Sequence, residues 1–74
     1  LRLTRSERSL LQRVLRTGRT GLWLAARARA VLLRARGDSV SAIARQVGRD
    51  RKWVRHWVER FARERVAGLA EPPA

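Results

Sequence analysis

Apolar positions recur at helical spacing in four stretches of the chain, and no stretch shows the alternation of a half-buried strand. In the first, Leu10, Leu11, Val14 and Leu15 form an i, i+1, i+4, i+5 stripe, with Arg8, Arg13 and Arg16 elsewhere on the wheel. Thr4-Arg5-Ser6-Glu7 opens this stretch as a capping box, in which hydroxyl and carboxylate each accept from the other residue's backbone amide. The pattern predicts a helix over 5–17, ended at Thr17-Gly18, with a loop through Gly18, Arg19, Thr20 and Gly21. The second helix, over 22–36, carries only Arg27, Arg29, Arg34 and Arg36 as charged residues, and these share about half its wheel. The remainder is apolar or alanine, so contact with more than one neighbour is expected. Gly37 suits the position that ends it. Ser39 caps a short helix over 40–47 that stops at Gly48, and Asp50 caps a fourth over 51–66 that closes before Gly68. Pro72 and Pro73 bar further helix and begin a linker, which leaves a domain over 1–70 and a tail over 71–74.

The third and fourth helices form the informative pair. They are joined by Gly48-Arg49-Asp50 alone. Ile43, Ala44 and Val47 are spaced to face inward from the first of them, and Val54, Trp57, Val58 and Phe61 form an i, i+3, i+4, i+7 stripe on the second. A small residue is needed at Ala44, where two helices cross, and a residue tolerant of positive φ at Gly48, where the chain turns. This is the spacing of a helix-turn-helix, in which one helix props a second against the major groove of DNA.

Charge strengthens that reading. The 74 residues include 18 Lys plus Arg against 6 Asp plus Glu, a formal net charge of +12, and Lys52 is the one lysine. Such a domain calls for a polyanionic partner, whether nucleic acid, an anionic membrane surface or an acidic protein. The length leaves no room for a doubly wound catalytic domain, since each βαβ unit takes about 30 residues. With no cysteine and the single histidine His56, neither a disulfide nor a thiolate or histidine-rich metal site can be built, and no cofactor is expected. The longest uncharged run, Thr20 to Ala26, is far short of the ~20 residues of a membrane span, and a membrane-surface partner ranks last because the apolar stripes are committed to one another, so no membrane partner is expected. The chain begins with Leu1 and not Met, which suggests a fragment of a longer protein.

On the wheel of the fourth helix, Lys52, His56, Glu59 and Arg63 lie opposite the apolar stripe, flanked by Arg55 and Arg60. Arg51, Lys52, Arg55 and His56 therefore form the face expected to meet bases or nearby phosphates, because arginine can donate two bonds to guanine O6 and N7. Arg49 in the turn, Ser41 and Arg45 on the third helix, and Arg60 are placed to hold the DNA backbone, together with backbone amides at the two helix N-termini. For Arg55 and His56, phosphate contact or simple solvation is the competing reading. Trp57 and Phe61 are expected in the core, and Trp23 as a core anchor between the first two helices. Trp53 lies at the edge of the stripe and either packs beside Trp57 or meets a sugar-phosphate strand, with packing favoured. Arg2, Arg5 and Arg8 are read as solvated surface, and Glu59 and Glu64 as partners of nearby arginines.

Several blocks of the chain carry a resemblance. Leu3-Thr4 with Glu7-Arg8, the run Arg27-Ala28-Arg29-Ala30-Val31-Leu32-Leu33, and Gly37, Ser39, Ile43, Ala44, Val47 and Gly48 form the first part. Val54, Arg55, Trp57, Arg60 and Phe61, then Gly68-Leu69, complete it. In these blocks the chain resembles the N-terminal domain of mariner-related bacterial insertion-sequence transposases. The resemblance implies a homeodomain-like helical domain that binds terminal inverted repeats during DNA recombination, in the bacterial cytoplasm at the nucleoid. It also implies that a carboxylate-triad domain of RNase H-like fold supplies the catalysis, for which none of the six carboxylates here can stand in. Arg49 and Trp53 depart from the family pattern, which has an apolar residue and a small hydroxylated residue there.

The expectation is thus an all-α domain, with a three-helix homeodomain-like core and an additional N-terminal helix, that binds double-stranded DNA and performs no chemistry itself. The parent protein is expected to add a homodimer or a continuation into a catalytic domain. A stand-alone transcriptional regulator, or a protein-interaction module using the first helix, are the alternatives; an arginine-rich RNA binder ranks below them. If about six phosphates are neutralised, a plot of log K for duplex binding against log salt has a slope near −5, as a salt titration by fluorescence anisotropy would measure.

Overall fold

The computed structural model describes residues 1–17 and 21–70, so the loop expected through Gly18, Arg19 and Thr20 and the linker expected at Pro72 and Pro73 lie outside the described residues. Five helices follow one another: α1 (Arg5–Arg16), α2 (Leu22–Arg36), α3 (Val40–Val47), α4 (Arg51–Glu64) and α5 (Val66–Leu69). Among the described residues there is no strand. The architecture is all-α, with α2, α3 and α4 as the three-helix core and α1 packed on α2 as an additional N-terminal helix.

The helix ends follow from local chemistry. Thr4 and Glu7 close the capping box, with Thr4 N–H donating to Glu7 Oε1 at 2.9 Å and Glu7 N–H to Thr4 Oγ1 at 3.0 Å. Ser39 Oγ accepts from Ala42 N–H at 3.1 Å, and Asp50 Oδ1 from Trp53 N–H at 2.8 Å. The loop between α2 and α3 is held by a residue the sequence pattern did not mark. Asp38 accepts both nitrogens of the Arg36 fork, at 2.9 and 2.7 Å, and the Gln46 side chain at 2.9 Å.

Helix α2 is the centre of the domain, in contact with every other helix. Its Ala28 and Val31 join Leu11, Trp57, Phe61 and Leu69 in one buried cluster. Its Ala30 and Leu33 join Ile43, Ala44 and Val54 in a second, and Trp53 packs against both. Two cores on different sides of one helix explain why α2 is apolar around so much of its wheel. The stripe of α1 is shared unevenly. Leu11 is buried and Val14 partly so, while Leu10 and Leu15 flank them in solvent. Half of the α1 stripe is therefore committed to the domain's own core, and Leu10 and Leu15 remain on the surface.

Arg27 breaks the simple wheel. It is only 4% exposed, although on the wheel it belongs to the charged half of α2 with Arg29, Arg34 and Arg36. Its guanidinium lies 3.4 Å from the Trp57 ring centroid and 4.6 Å from that of Trp23, and it donates to the Leu69 carbonyl at 3.1 Å. Trp23 is accordingly a half-buried roof over Arg27 and not a core anchor between α1 and α2.

The fourth helix also ends earlier than expected. It stops at Glu64, and Arg65 takes φ 58° and ψ −146°, a conformation rare for a side-chain-bearing residue. Arg65 is held there from several sides. It grips Glu7 through Nε and one terminal nitrogen, at 2.8 and 2.7 Å, donates to the Arg2 carbonyl at 2.8 Å, and lies 4.7 Å from the Phe61 ring centroid. The turn at Arg65 sends α5 back over α4, where Gly68 allows close approach: a Cβ there would stand 3.1 Å from Arg60 Cγ and 3.2 Å from the Arg60 carbonyl. Leu69 thereby enters the core and its carbonyl reaches Arg27.

Replacing Arg27 by Ala would empty the space between two indoles and leave the Leu69 carbonyl without its donor, for a loss of about 3 kcal/mol in urea unfolding. Arg27→Lys is expected to restore little, because an ammonium lacks the planar fork that stacks on a ring. A second outcome concerns acid. The Arg65 guanidinium, helped by the Thr4 amide, holds the Glu7 carboxyl down at about 2, and Arg36 followed by Gln46 does the same for Asp38. A depressed carboxylate contributes stability that is fully present above its ordinary pKa, near 4.5 for Glu7 and 3.8 for Asp38, and lost as pH falls to about 2. Thermal melts should therefore show Tm falling between about pH 5 and pH 2, and Glu7→Gln should flatten that limb while lowering Tm at neutral pH.

Candidate nucleic-acid interface

The turn between α3 and α4 is built by its glycine. Gly48 adopts φ 72° and ψ 32°, and Arg49 N–H donates back to the Ala44 carbonyl at 3.0 Å. A left-handed residue there lets α3 stop and α4 start within three residues, and a side chain at that φ would be strained. Ala44 and Ile43 of α3 meet Val54 of α4 in a buried contact, so the two helices cross at a small residue. Val54, Trp57 and Phe61 are buried, with Val58 half-buried, which fixes the rotation of α4 about its axis.

That rotation turns Arg51, Lys52, Arg55 and His56 into solvent along the N-terminal half of the helix. Arg51 and Arg55, and likewise Lys52 and His56, are four residues apart and so stack one turn above the other. The His56 ring meets Trp57 edge-on, with centroids 4.7 Å apart. Arg49 is exposed in the turn, with its guanidinium 5.3 Å from the Trp53 ring centroid. Trp53 is half-buried and packed against both cores, so its indole belongs to the scaffold and offers only its outer side to Arg49. The two positions that depart from the resembled family's pattern are thus one stacked pair.

The backbone-holding residues are less uniform. Arg45 is exposed on α3, and Ser41, in the first turn of that helix, is half-buried. Arg60 stands apart from the exposed group. It is half-buried, pairs with Glu64 at 3.0 Å and lies 5.9 Å from the Trp57 ring centroid. The helix N-termini also differ. A carboxylate already occupies the positive end of α4, where it would repel a phosphate, whereas α3 is capped by the neutral hydroxyl of Ser39. Beside the turn, Leu15, Leu22, Ala25 and Val47, together with Arg29 and the turn residue Arg49, line a shallow groove of about 350 Å³, in which Leu22 is 90% exposed.

Charge is distributed so that the exposed part of α4 stays basic. Glu7, Asp38 and Glu64 are each paired with an arginine outside that face, on Arg65, Arg36 and Arg60. Arg51, Lys52 and Arg55 form no ion pair among the described residues. No group of acids and histidine that could hold a metal occurs among the described residues, and no helix there is long and apolar enough to cross a membrane.

An all-helical domain with a tight glycine turn and an outward basic helix is a helix-turn-helix domain. The model of the winged helix-turn-helix family matches residues 27–73, from the middle of α2 through α5, and the chain belongs to that family. No curated protein and no solved structure matches the chain. A helix-turn-helix domain points to DNA as the partner. No strand follows α4 among the described residues.

Proposed function

We propose that the chain is the DNA-binding part of a transposase and reads the terminal inverted repeats of its element. The observation that carries the DNA-reading part is the row of exposed donors, Arg51, Lys52, Arg55 and His56, on a helix whose rotation is locked by the core. In this reading α4 lies in the major groove and these four side chains meet base edges or adjacent phosphates. Arg49, Arg45 and Ser41 hold the backbone, and Arg60, whose Nε is paired with Glu64, joins them through its terminal nitrogens. Arg49 lies over the Trp53 ring at 5.3 Å, which limits the side-chain freedom it would lose on binding.

The domain itself would do no chemistry. Cleavage and joining would come from a catalytic domain in the same parent protein, acting at the bacterial nucleoid. The domain is 26 Å across, which corresponds to about eight base pairs at 3.4 Å each. A footprint that short gives limited affinity, so a second copy or a second module would complete the site. The transposase origin is supported by the sequence blocks that resemble mariner-related elements, and a stand-alone regulator would use the same face on an operator.

The test is binding to duplexes cut from the inverted repeats that flank the gene, against a scrambled duplex of equal length. Tighter binding to the repeats is expected, and equal binding to both would refute the repeat-reading role. Within the same titrations, Arg55→Ala is expected to cost ~1–3 kcal/mol on the preferred duplex and far less on the scrambled one. An equal loss on both would identify Arg55 as a phosphate ligand.

A further inference from the structure

The acidic residues of so basic a chain need an account. Five of the six, all but Glu71, are among the described residues. Four have a structural task. Glu7 completes the α1 capping box and grips Arg65, Asp38 joins Arg36 to Gln46, Asp50 caps α4, and Glu64 pairs with Arg60. Glu59 has none: it is exposed, with no hydrogen bond or ion pair among the described residues. Yet Arg55 and Arg63 stand four residues before and after it on the same helix, the spacing at which ion pairs form. Glu59 therefore departs from the expectation that it serves an arginine.

Its position is informative. Glu59 lies on the exposed side of α4, one turn beyond Arg55 and His56. At 1.5 Å per residue it is about 10 Å along the axis from Lys52, a span comparable with the ~12 Å width of the major groove. A carboxylate carried into that groove is repelled by the phosphates and by every base acceptor, the O6 and N7 of guanine and the O4 of thymine. The donors there are the exocyclic amines of cytosine and adenine, and adenine sets its acceptor N7 beside its amine whereas cytosine presents its amine alone.

Resting on the major-groove reading above, we propose that Glu59 is a specificity-determining residue that selects a cytosine by accepting a hydrogen bond from its exocyclic amine. Arg51, Lys52, Arg55 and His56 present donors and favour guanine. The site so defined holds guanine toward the N-terminal end of α4 and a cytosine farther along the helix. The carboxylate weakens binding wherever it fails to find that amine, so Glu59 discriminates largely by repulsion.

The experiment is selection from a random duplex library at about 150 mM salt, carried out with the 74-residue chain and with its Glu59→Gln and Arg55→Ala variants. The wild-type pool is expected to fix a C·G pair at one position. Glu59→Gln should keep the rest of the motif, lose about tenfold of discrimination at that pair, and bind non-cognate duplexes more tightly than wild type. Arg55→Ala should lose a guanine and keep the cytosine. If Glu59→Gln selects the same motif as wild type, or weakens binding equally on all sequences, the proposal falls and major-groove reading by the other residues stands. A wild-type pool with no enriched motif overturns both together.

Discussion

The domain is organised around a buried positive charge. A guanidinium taken out of water is costly unless its environment replaces what water supplied. Here the replacement comes from two indole faces and a main-chain carbonyl, contributed by α2, α4 and α5. Each compensating group constrains a different element. Trp57 cannot rotate away without exposing Arg27 to an apolar wall, and Leu69 cannot leave without removing a hydrogen-bond acceptor. The rotation of α4, which decides which side chains face outward, is thereby set partly by a charge on α2. A small domain without cysteine gains from such a contact, since its apolar core alone is limited in size.

A second arginine performs the matching task at the other end of α4. Arg65 sits in a backbone conformation that disfavours side chains, and its contacts to Glu7 and the Arg2 carbonyl draw the chain into it. This ties the start of α1 to the junction of α4 and α5, residues 58 positions apart in sequence. Glu7 serves two structures at once, because the carboxylate that closes the capping box is also the anchor for Arg65. Loss of its charge would loosen a helix start and a tertiary contact together.

The same economy governs the surface. Most of the few acids are spent in fixing loops and helix ends, which leaves the turn and the N-terminal half of α4 basic. A uniformly cationic domain would bind any polyanion. Here, among the described residues, one carboxylate remains uncommitted in line with the donors, and in a groove lined by base edges repulsion can separate sequences as effectively as attraction. The stacking of Arg49 on Trp53 adds a positioned cation beside them, supported by an indole that is itself wedged between the two cores.

Much of this was readable along the chain. The capping box at Thr4, the caps at Ser39 and Asp50, and the glycine turn at Gly48 are local chemistry, and periodicity alone assigns Ile43, Val54, Trp57 and Phe61 to the interior and Arg51, Lys52, Arg55 and His56 to the exterior. Those features depend on neighbours within a few residues, so the sequence by itself determines them. The interior placement of Arg27, the role of Trp23 as its cover, the early end of α4 at Glu64 and the withdrawal of Arg60 to Glu64 were decided by the tertiary structure. A helical wheel assumes that charge seeks water. Only the three-dimensional packing brings Trp57 and the Leu69 carbonyl, 30 and 42 residues away, to the guanidinium that would otherwise have remained outside.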